Sequence, residues 1–409
     1  MTPSPDFELP GLVNAHSHAF QRAMAGLAEQ QTDPADSFWT WREQMYRYAG
    51  LIEPEDLQAI AAQLYVEMLK SGYTAVCEFH YLHHRRDGRP YVDGAAMSRA
   101  LIAAATEVGI DLCLLPVLYM QGGFDGRELS TRQRRFGHDV DAFLRLVDAL
   151  RRDESEALQV GIALHSLRAV PPDAMQVVLA AEAGADRPIH VHIAEQTGEV
   201  EECLALRGTR PVSWLLDHAT VDARWTLVHA THLSASEVPT LAASGATVCL
   251  CPTTEANLGD GLFPLPDYIT ANGHFSIGSD SHISVSPVEE LRWLEYGQRL
   301  RLQRRCVAVA ADEKSVGRFL FRQALAGGRR SAGARIAANA STVTLDAAHP
   351  LLAARTNDEA VDSWIFSGNA PLVREVGVRG RPVVREGRHV DEERIARRYV
   401  ATVQRLARS

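Results

Sequence analysis

Two histidines flank a single serine in "PGLVNAHSHAFQR", residues 10–22, at the end of a short apolar run. Successive side chains of a strand alternate between its faces, so His16 and His18 project from one side of its last residues. Alone, an H-x-H is half of a metal site or a polar strand end. Further apolar runs add to it. They end on Glu78, His80 and Tyr81; on His165, with Arg168 three residues on; on His190, His192 and Glu195; on His229 and His232; and on Asp280 and His282. Packing explains one histidine at a strand end, but not histidines at one strand end after another on a single rim. Neutral imidazoles with one carboxylate suit a single borderline divalent ion, Zn2+ or in its place Fe2+. With one position left open, such an ion lowers the pKa of bound water from about 15.7 towards about 7. A nearby carboxylate can then carry a proton from water to a departing nitrogen.

The elements that position these residues follow from the runs themselves. They cover 11–18, 73–80, 111–119, 158–166, 188–195, 225–232, 246–254 and 273–282. Between most of them lie helix-period segments such as 54–72, 93–109 and 234–245, the last opening on a capping serine and closing on glycine. Strand–helix alternation of this kind predicts a parallel sheet, and eight units close a (β/α)8 TIM barrel with its chemistry at the carboxyl ends of the strands. The barrel is expected over residues 10–340, with 286–340 as further helices. "STVTLDAAHP", "AVDSWIFSG" and "VREVGVRGRPVVREGRHV" read as short strands with glycine turns, a small β appendage over 341–390. Residues 391–409 read as a C-terminal helix.

Composition agrees with a globular α/β chain: 409 residues, 46% hydrophobic and 23% charged. A net charge of -9 argues against nucleic acid or an anionic membrane as partner. No run approaches the roughly 18–20 apolar residues of a membrane span. The start "MTPSPDFELPG" has neither the basic nor the apolar region of a signal peptide. Cys77, Cys113, Cys203, Cys249, Cys251 and Cys306 are scattered without a C-x-x-C, several in apolar runs. The expectation is a reducing cytoplasm without disulfides.

The order H-x-H after the first strand, H-x-x-E after the fifth, histidine after the sixth and aspartate after the eighth resembles the amidohydrolase superfamily, in its cytosine- and guanine-deaminase-like branch. The strings "NAHSHAFQRAMAGLAE", "CEFHYLHH", "LHSLRAV", "HVHIAEQ", "CPTTEANLGDG" and "GSDSH" are more restrictive in combination. Together they resemble the formimidoylglutamate deiminase family of histidine degradation. The resemblance implies that His16, His18, His192 and Asp280 hold one zinc per chain. Glu195 would be the proton shuttle, and His229 would hydrogen-bond the attacking water. His229 and Asp280 would steady the intermediate. Gln21, Arg42, Tyr81, His165 and Arg168 match the family's substrate contacts. Alternation by itself does not choose between His190 and His192, which face the same way. His192 is nearer the mouth, with Glu195 three residues on, and is taken as the ligand; His190 packs one layer deeper. His232 is read as structural, His282 as lying behind the ligands, and His80, His83 and His84 receive no role.

The implied substrate is N-formimidoyl-L-glutamate, an amidine with two carboxylates, and the implied products are ammonia and N-formyl-L-glutamate. A dicarboxylate calls for cationic clamps, and a guanidinium such as Arg168 binds carboxylate through two parallel bonds. A purine or pyrimidine deaminase is the alternative, with pockets favouring neutral amides and ring stacking. A metal-free scaffold barrel is a second one. A homodimer is expected. Family members place several strands before the first barrel strand, to pair with the tail strands. Few residues stand there in this chain, which leaves the partner of the tail strands open.

Overall fold

In the computed structural model, which describes residues 7–29 and 38–408, the strand–helix units begin and end where the punctuation residues stand. Glu53 and Asp56 cap helix Pro54–Ser71 reciprocally, Pro54 occupies the first turn where a missing N–H is not needed, and Gly72 ends it. The strands are β1 (Phe7–Pro10), β2 (Leu12–Ser17), β3 (Tyr73–His80), β4 (Asp111–Leu118), β5 (Leu158–Val160), β6 (Ile162–Ser166), β7 (Ile189–Ile193), β8 (Trp225–His229), β9 (Thr247–Leu250), β10 (His274–Ile277), β11 (Ser341–Leu345), β12 (Val373–Val378), β13 (Arg381–Arg385) and β14 (Arg388–His389).

Strands β2 to β10 run parallel in the order β2-β3-β4-β6-β7-β8-β9-β10. β5 and β6 are two halves of one barrel strand: β5 pairs with the start of β4, while β6 pairs with its end and with β7. The barrel closes beyond β10 through a bridge between Ser17 and Asp280. There the Asp280 N–H donates to His16 O at 3.0 Å and the His18 N–H donates to Asp280 O at 3.2 Å. The bonds that shut the barrel are thus made by the residues nearest the chemistry. Two glycines permit this closure. A Cβ on Gly278 would lie 2.7 Å from the Cβ of His16. Helix Val316–Ala332 lies across the seam of β2 and β10, and a Cβ on its Gly327 would lie 1.9 Å from Phe275 O.

A second, antiparallel sheet has the order β1-β11-β12-β13-β14. β1 pairs with β11 from Phe7 opposite Leu345 to Pro10 opposite Thr342. The segment just before the first barrel strand is therefore the partner of the tail strands. One tail segment differs from expectation. "AVDSWIFSG" is not a strand but most of helix Asn357–Phe366. Its β-branched and aromatic residues suggest a strand, yet Thr356 and Glu359 form a reciprocal cap, and Ala360, Val361, Trp364 and Ile365 bury one helical face. Likewise the run 246–254 leaves the strand at Leu250 and enters helix Pro252–Leu258. Helix Glu392–Ala407 ends the described chain and packs on Pro54–Ser71, with Lys70 2.8 Å from Glu392.

Candidate metal centre and active site

His16 and His18 leave the end of β2 on one side, His192 projects from β7, and Asp280 enters from the seam. His16 Nε2 lies 3.2 Å from His18 Nε2 and 3.0 Å from His192 Nε2. Asp280 Oδ1 lies 3.5 Å from His16 Nε2 and 3.3 Å from His18 Nε2. The far nitrogens define the rings. His18 Nδ1 meets Phe79 O and His192 Nδ1 meets His165 O, both at 2.9 Å. A carbonyl only accepts, so Nδ1 carries the hydrogen and each neutral ring presents a bare Nε2 lone pair to its neighbours. Burial, reinforced by neighbouring imidazoles, holds His16 and His192 well below the ordinary histidine range. Burial also lowers His18, against the pull of Asp280. One hydrogen on His16 Nε2 cannot satisfy two facing lone pairs. A cation can, and three imidazole nitrogens with one carboxylate oxygen fit a single borderline divalent ion.

The backbone around these groups is bent to present them. His229 (φ 70°), Asp280 (φ 45°), His282 (φ 63°), Ala194 (φ 50°) and Ala230 (φ 48°) are all in the left-handed region. Such conformations cost of order 1–3 kcal/mol each without glycine and gather where a site needs them.

Glu195 stands two residues beyond β7, its Oε1 3.9 Å from His229 Nε2, with Asp280 Oδ2 3.8 Å from the same nitrogen. Burial raises the Glu195 carboxyl above the usual range, His229 opposing and Asp280 adding to it. Burial alone would lower His229, but Glu195, Glu255 and Asp280 outweigh it and hold the imidazole well above its ordinary range. Glu195 and His229 thus face each other beside the His/Asp cluster, each with its proton affinity raised, an arrangement suited to acid–base work. Glu199 fixes the turn that carries Glu195, accepting the N–H groups of Ala194 and Glu195 at 3.1 Å each, and burial pushes it up to about 7.

Gln21, Arg42, Tyr81, His165 and Arg168 all line the cleft that opens over His18, His192, Glu195, His229 and Asp280. Gln21 Nε2 donates to Tyr81 Oη at 2.8 Å, while Gln21 Oε1 is buried without a partner. His165 Nδ1 lies 3.1 Å from Ser166 Oγ. Arg42 comes from helix Phe38–Ala49, its guanidinium 5.4 Å from the Tyr46 ring centroid. Burial lowers Arg42, and so does Arg168. Burial would lower Arg168 too, but Tyr119, Glu199 and Glu195 outweigh it. Among the described residues no carboxylate oxygen comes within 4.0 Å of the Arg168 guanidinium. Arg42 and Arg168 thus bring two guanidinium groups to one cleft. A larger groove of about 600 Å³ lies between helix Pro54–Ser71 and the tail, but it holds none of these groups.

Other histidines turn away from the cleft. His83 Nε2 meets Val117 O at 3.2 Å, and His84 Nε2 meets Gly137 O at 2.6 Å. His190 Nε2 meets Ser331 O at 2.9 Å, on the helix that crosses the seam. His282 sits behind the H-x-H between the hydroxyls of Ser279 (2.9 Å) and Ser17 (3.2 Å). Three carboxylates to which the sequence pattern gave no role support the site, Glu78 among them although it stands at a strand end. Glu199 lies four residues past Glu195. Glu78 accepts from Ser17 Oγ and the Ala19 N–H, both at 2.6 Å. Glu255 lies 3.3 Å from His229 Nδ1.

The sequence pattern of the amidohydrolase family matches residues 7–316. A curated relative, formimidoylglutamate deiminase of Pseudomonas aeruginosa, is 51% identical over 404 residues, 97% of this chain and 89% of that protein. The 8-oxoguanine deaminase of the same organism is 28% identical over 302 residues, 72% of this chain and 64% of its own length. Among solved structures, an amidohydrolase from Brucella melitensis superposes with a TM-score of 0.92 at 45% identity, covering 98% of this chain and 90% of the other. The family's pattern starts in β1 and runs through every residue of the cleft, and the fold and the relatives agree with it: this chain belongs to the amidohydrolase family.

Proposed function

We propose that this chain deiminates N-formimidoyl-L-glutamate, with water as co-substrate and ammonia and N-formyl-L-glutamate as products, as a cytoplasmic step of histidine degradation. The observation that carries the reading is the pairing of two guanidinium groups, Arg42 and Arg168, with a hydrolytic His/Asp cluster in one cleft. The 51% identity to a formimidoylglutamate deiminase supports it. His16, His18, His192 and Asp280 would hold one divalent ion, zinc or ferrous iron. When bound, such an ion supplies Lewis acidity and a water that ionises near neutral pH.

The chain's own residues do the rest. Arg168 and Arg42 bind the two substrate carboxylates, and Gln21, Tyr81 and His165 hydrogen-bond the polar atoms between them. Glu195 accepts the proton of the attacking water as a new C–O bond forms at the amidine carbon. His229 donates from Nε2 to the charge that develops there. Glu195 then delivers that proton to the terminal nitrogen and relays the remaining proton of the new hydroxyl the same way; the C–N bond to that nitrogen breaks as the formyl C=O forms, and ammonia leaves. The test is ammonia release by the metal-loaded chain from formimidoylglutamate, cytosine and guanine in parallel. Preference for formimidoylglutamate supports the proposal, and preference for a ring substrate overturns it.

A further inference from the structure

Glu255, in "CPTTEANLGDG", has no part in the reaction as described. It is buried in the first turn of helix Pro252–Leu258, just past β9. Its Oε1 accepts two hydrogens, from the Cys251 N–H at 2.9 Å and from His229 Nδ1 at 3.3 Å. The opposite nitrogen of that ring, Nε2, faces Glu195 Oε1 at 3.9 Å and Asp280 Oδ2 at 3.8 Å. The direction of an imidazole, and which nitrogen carries hydrogen, are set by the bond its other nitrogen makes. His229 is also the last residue of β8 and has a left-handed backbone.

We propose that Glu255 is a positioning residue for the hydrolysis: it holds Nδ1–H of His229 and thereby aims Nε2 at the atom under attack. The inference rests on the role proposed for His229. Capping of the short helix explains the Cys251 contact but not the His229 contact. A second cation is the rival occupant, since His229, Cys251 and Glu255 bring ligand atoms within 4.8 Å of one another. Against it, Oε1 already accepts two hydrogens.

The test is a double-mutant cycle of Glu255→Gln and His229→Asn in the metal-loaded protein. Glutamine can still cap the helix, so a cap alone predicts little change. Replacing the carboxylate that orients a catalytic imidazole by an amide costs about 10⁴-fold in kcat in the serine protease triad. For the longer contact here, Glu255→Gln should lower kcat by about 10²-fold. KM and the single metal equivalent should be unchanged. In the His229→Asn background the same substitution should change kcat by less than about twofold. A parent-like kcat for Glu255→Gln overturns the proposal, as does an equal loss in both backgrounds or a second metal equivalent that the substitution removes.

The cycle is run on whichever of formimidoylglutamate, cytosine and guanine the parent turns over, so a wrong substrate assignment appears as a parental preference and leaves the cycle readable. A substrate-free readout stands beside it. Nitrogen-15 spectra of histidine-labelled protein should show His229 Nδ1 carrying hydrogen in the parent and losing that fixed state in Glu255→Ala. An unchanged ring state in that variant overturns the proposal.

Discussion

Glu195 and Arg168 stand on opposite sides of the proposed chemistry, and their substitutions should fail differently. Glu195→Gln keeps the size of the side chain but cannot take a proton. Its kcat should fall by roughly 10²–10⁴-fold, the usual worth of general acid–base help. Metal content and thermal unfolding should stay near those of the parent. Turnover at close to the parental rate would remove Glu195 from the proton path. Arg168 lies in the turn after β6, with its guanidinium facing a cleft that also holds Arg42. Losing a charge-assisted carboxylate pair in a partly desolvated site costs roughly 2–5 kcal/mol. Arg168→Met should therefore lower kcat/KM on formimidoylglutamate by tens- to thousands-fold, with metal content unchanged. On a formamidine lacking both carboxylates the two proteins should be poor and nearly equal. Equal damage on that carboxylate-free compound would make the arginine structural. Strand alternation made the shared face of His16 and His18 legible in the sequence, but the full proposed ligand set came from the motif resemblance, since alternation leaves His190 and His192 on one face and Asp280 lies past the end of β10. The roles of Glu255 and Glu199 were not legible, because their partners, backbone N–H groups of turns and for Glu255 also the His229 ring, are brought to them by folding and not by periodicity.

At the scale of elements, the barrel seam links stability to the site. A Cβ on Gly327 would lie 1.9 Å from Phe275 O, so Gly327→Ala must push the helix Val316–Ala332 off β10. Overpacking of this kind costs about 1–3 kcal/mol. Calorimetry should show a lower Tm, and metal titration a weaker site, since Asp280 follows β10 directly. Gly198→Ala is the control: it lies in helix Thr197–Arg207 with nothing within 4 Å of the added Cβ, and its Tm should be unchanged or slightly raised. A parental Tm and parental metal affinity for Gly327→Ala would show that the seam tolerates displacement. The eight barrel strands were readable because each ends in a turn and is followed by a helical period. The segment containing Trp364 was misread because strand-forming residue types occupy a helix whose reciprocal cap, Thr356 and Glu359, lies outside the string that caught the eye. The pairing of β1 with β11 joins opposite ends of the chain, and local pattern carries no record of such a contact.

Across the whole molecule, buried carboxyls tie stability to pH. Glu78 tethers the H-x-H through Ser17 and Ala19 and, by burial, titrates at about 7 instead of 4.5. A carboxyl raised in the folded state contributes stability that is present below the unfolded value and lost as pH rises through the folded one. Glu78→Gln, always neutral, should therefore gain stability relative to the parent as pH rises from about 5 to about 8, by up to roughly 3 kcal/mol. Denaturant unfolding of both proteins across that range checks it, and parallel pH profiles would contradict it. The central claim concerns which bond breaks. An amidine carbon attacked by water can lose either nitrogen. In the proposed reaction Glu195 protonates the terminal nitrogen while the arginines anchor the glutamate portion. The deciding measurement is the product of formimidoylglutamate turnover by the metal-loaded chain, followed by proton NMR with parallel ammonia assay. The account predicts N-formyl-L-glutamate and one equivalent of ammonia; formamide and free glutamate would contradict it.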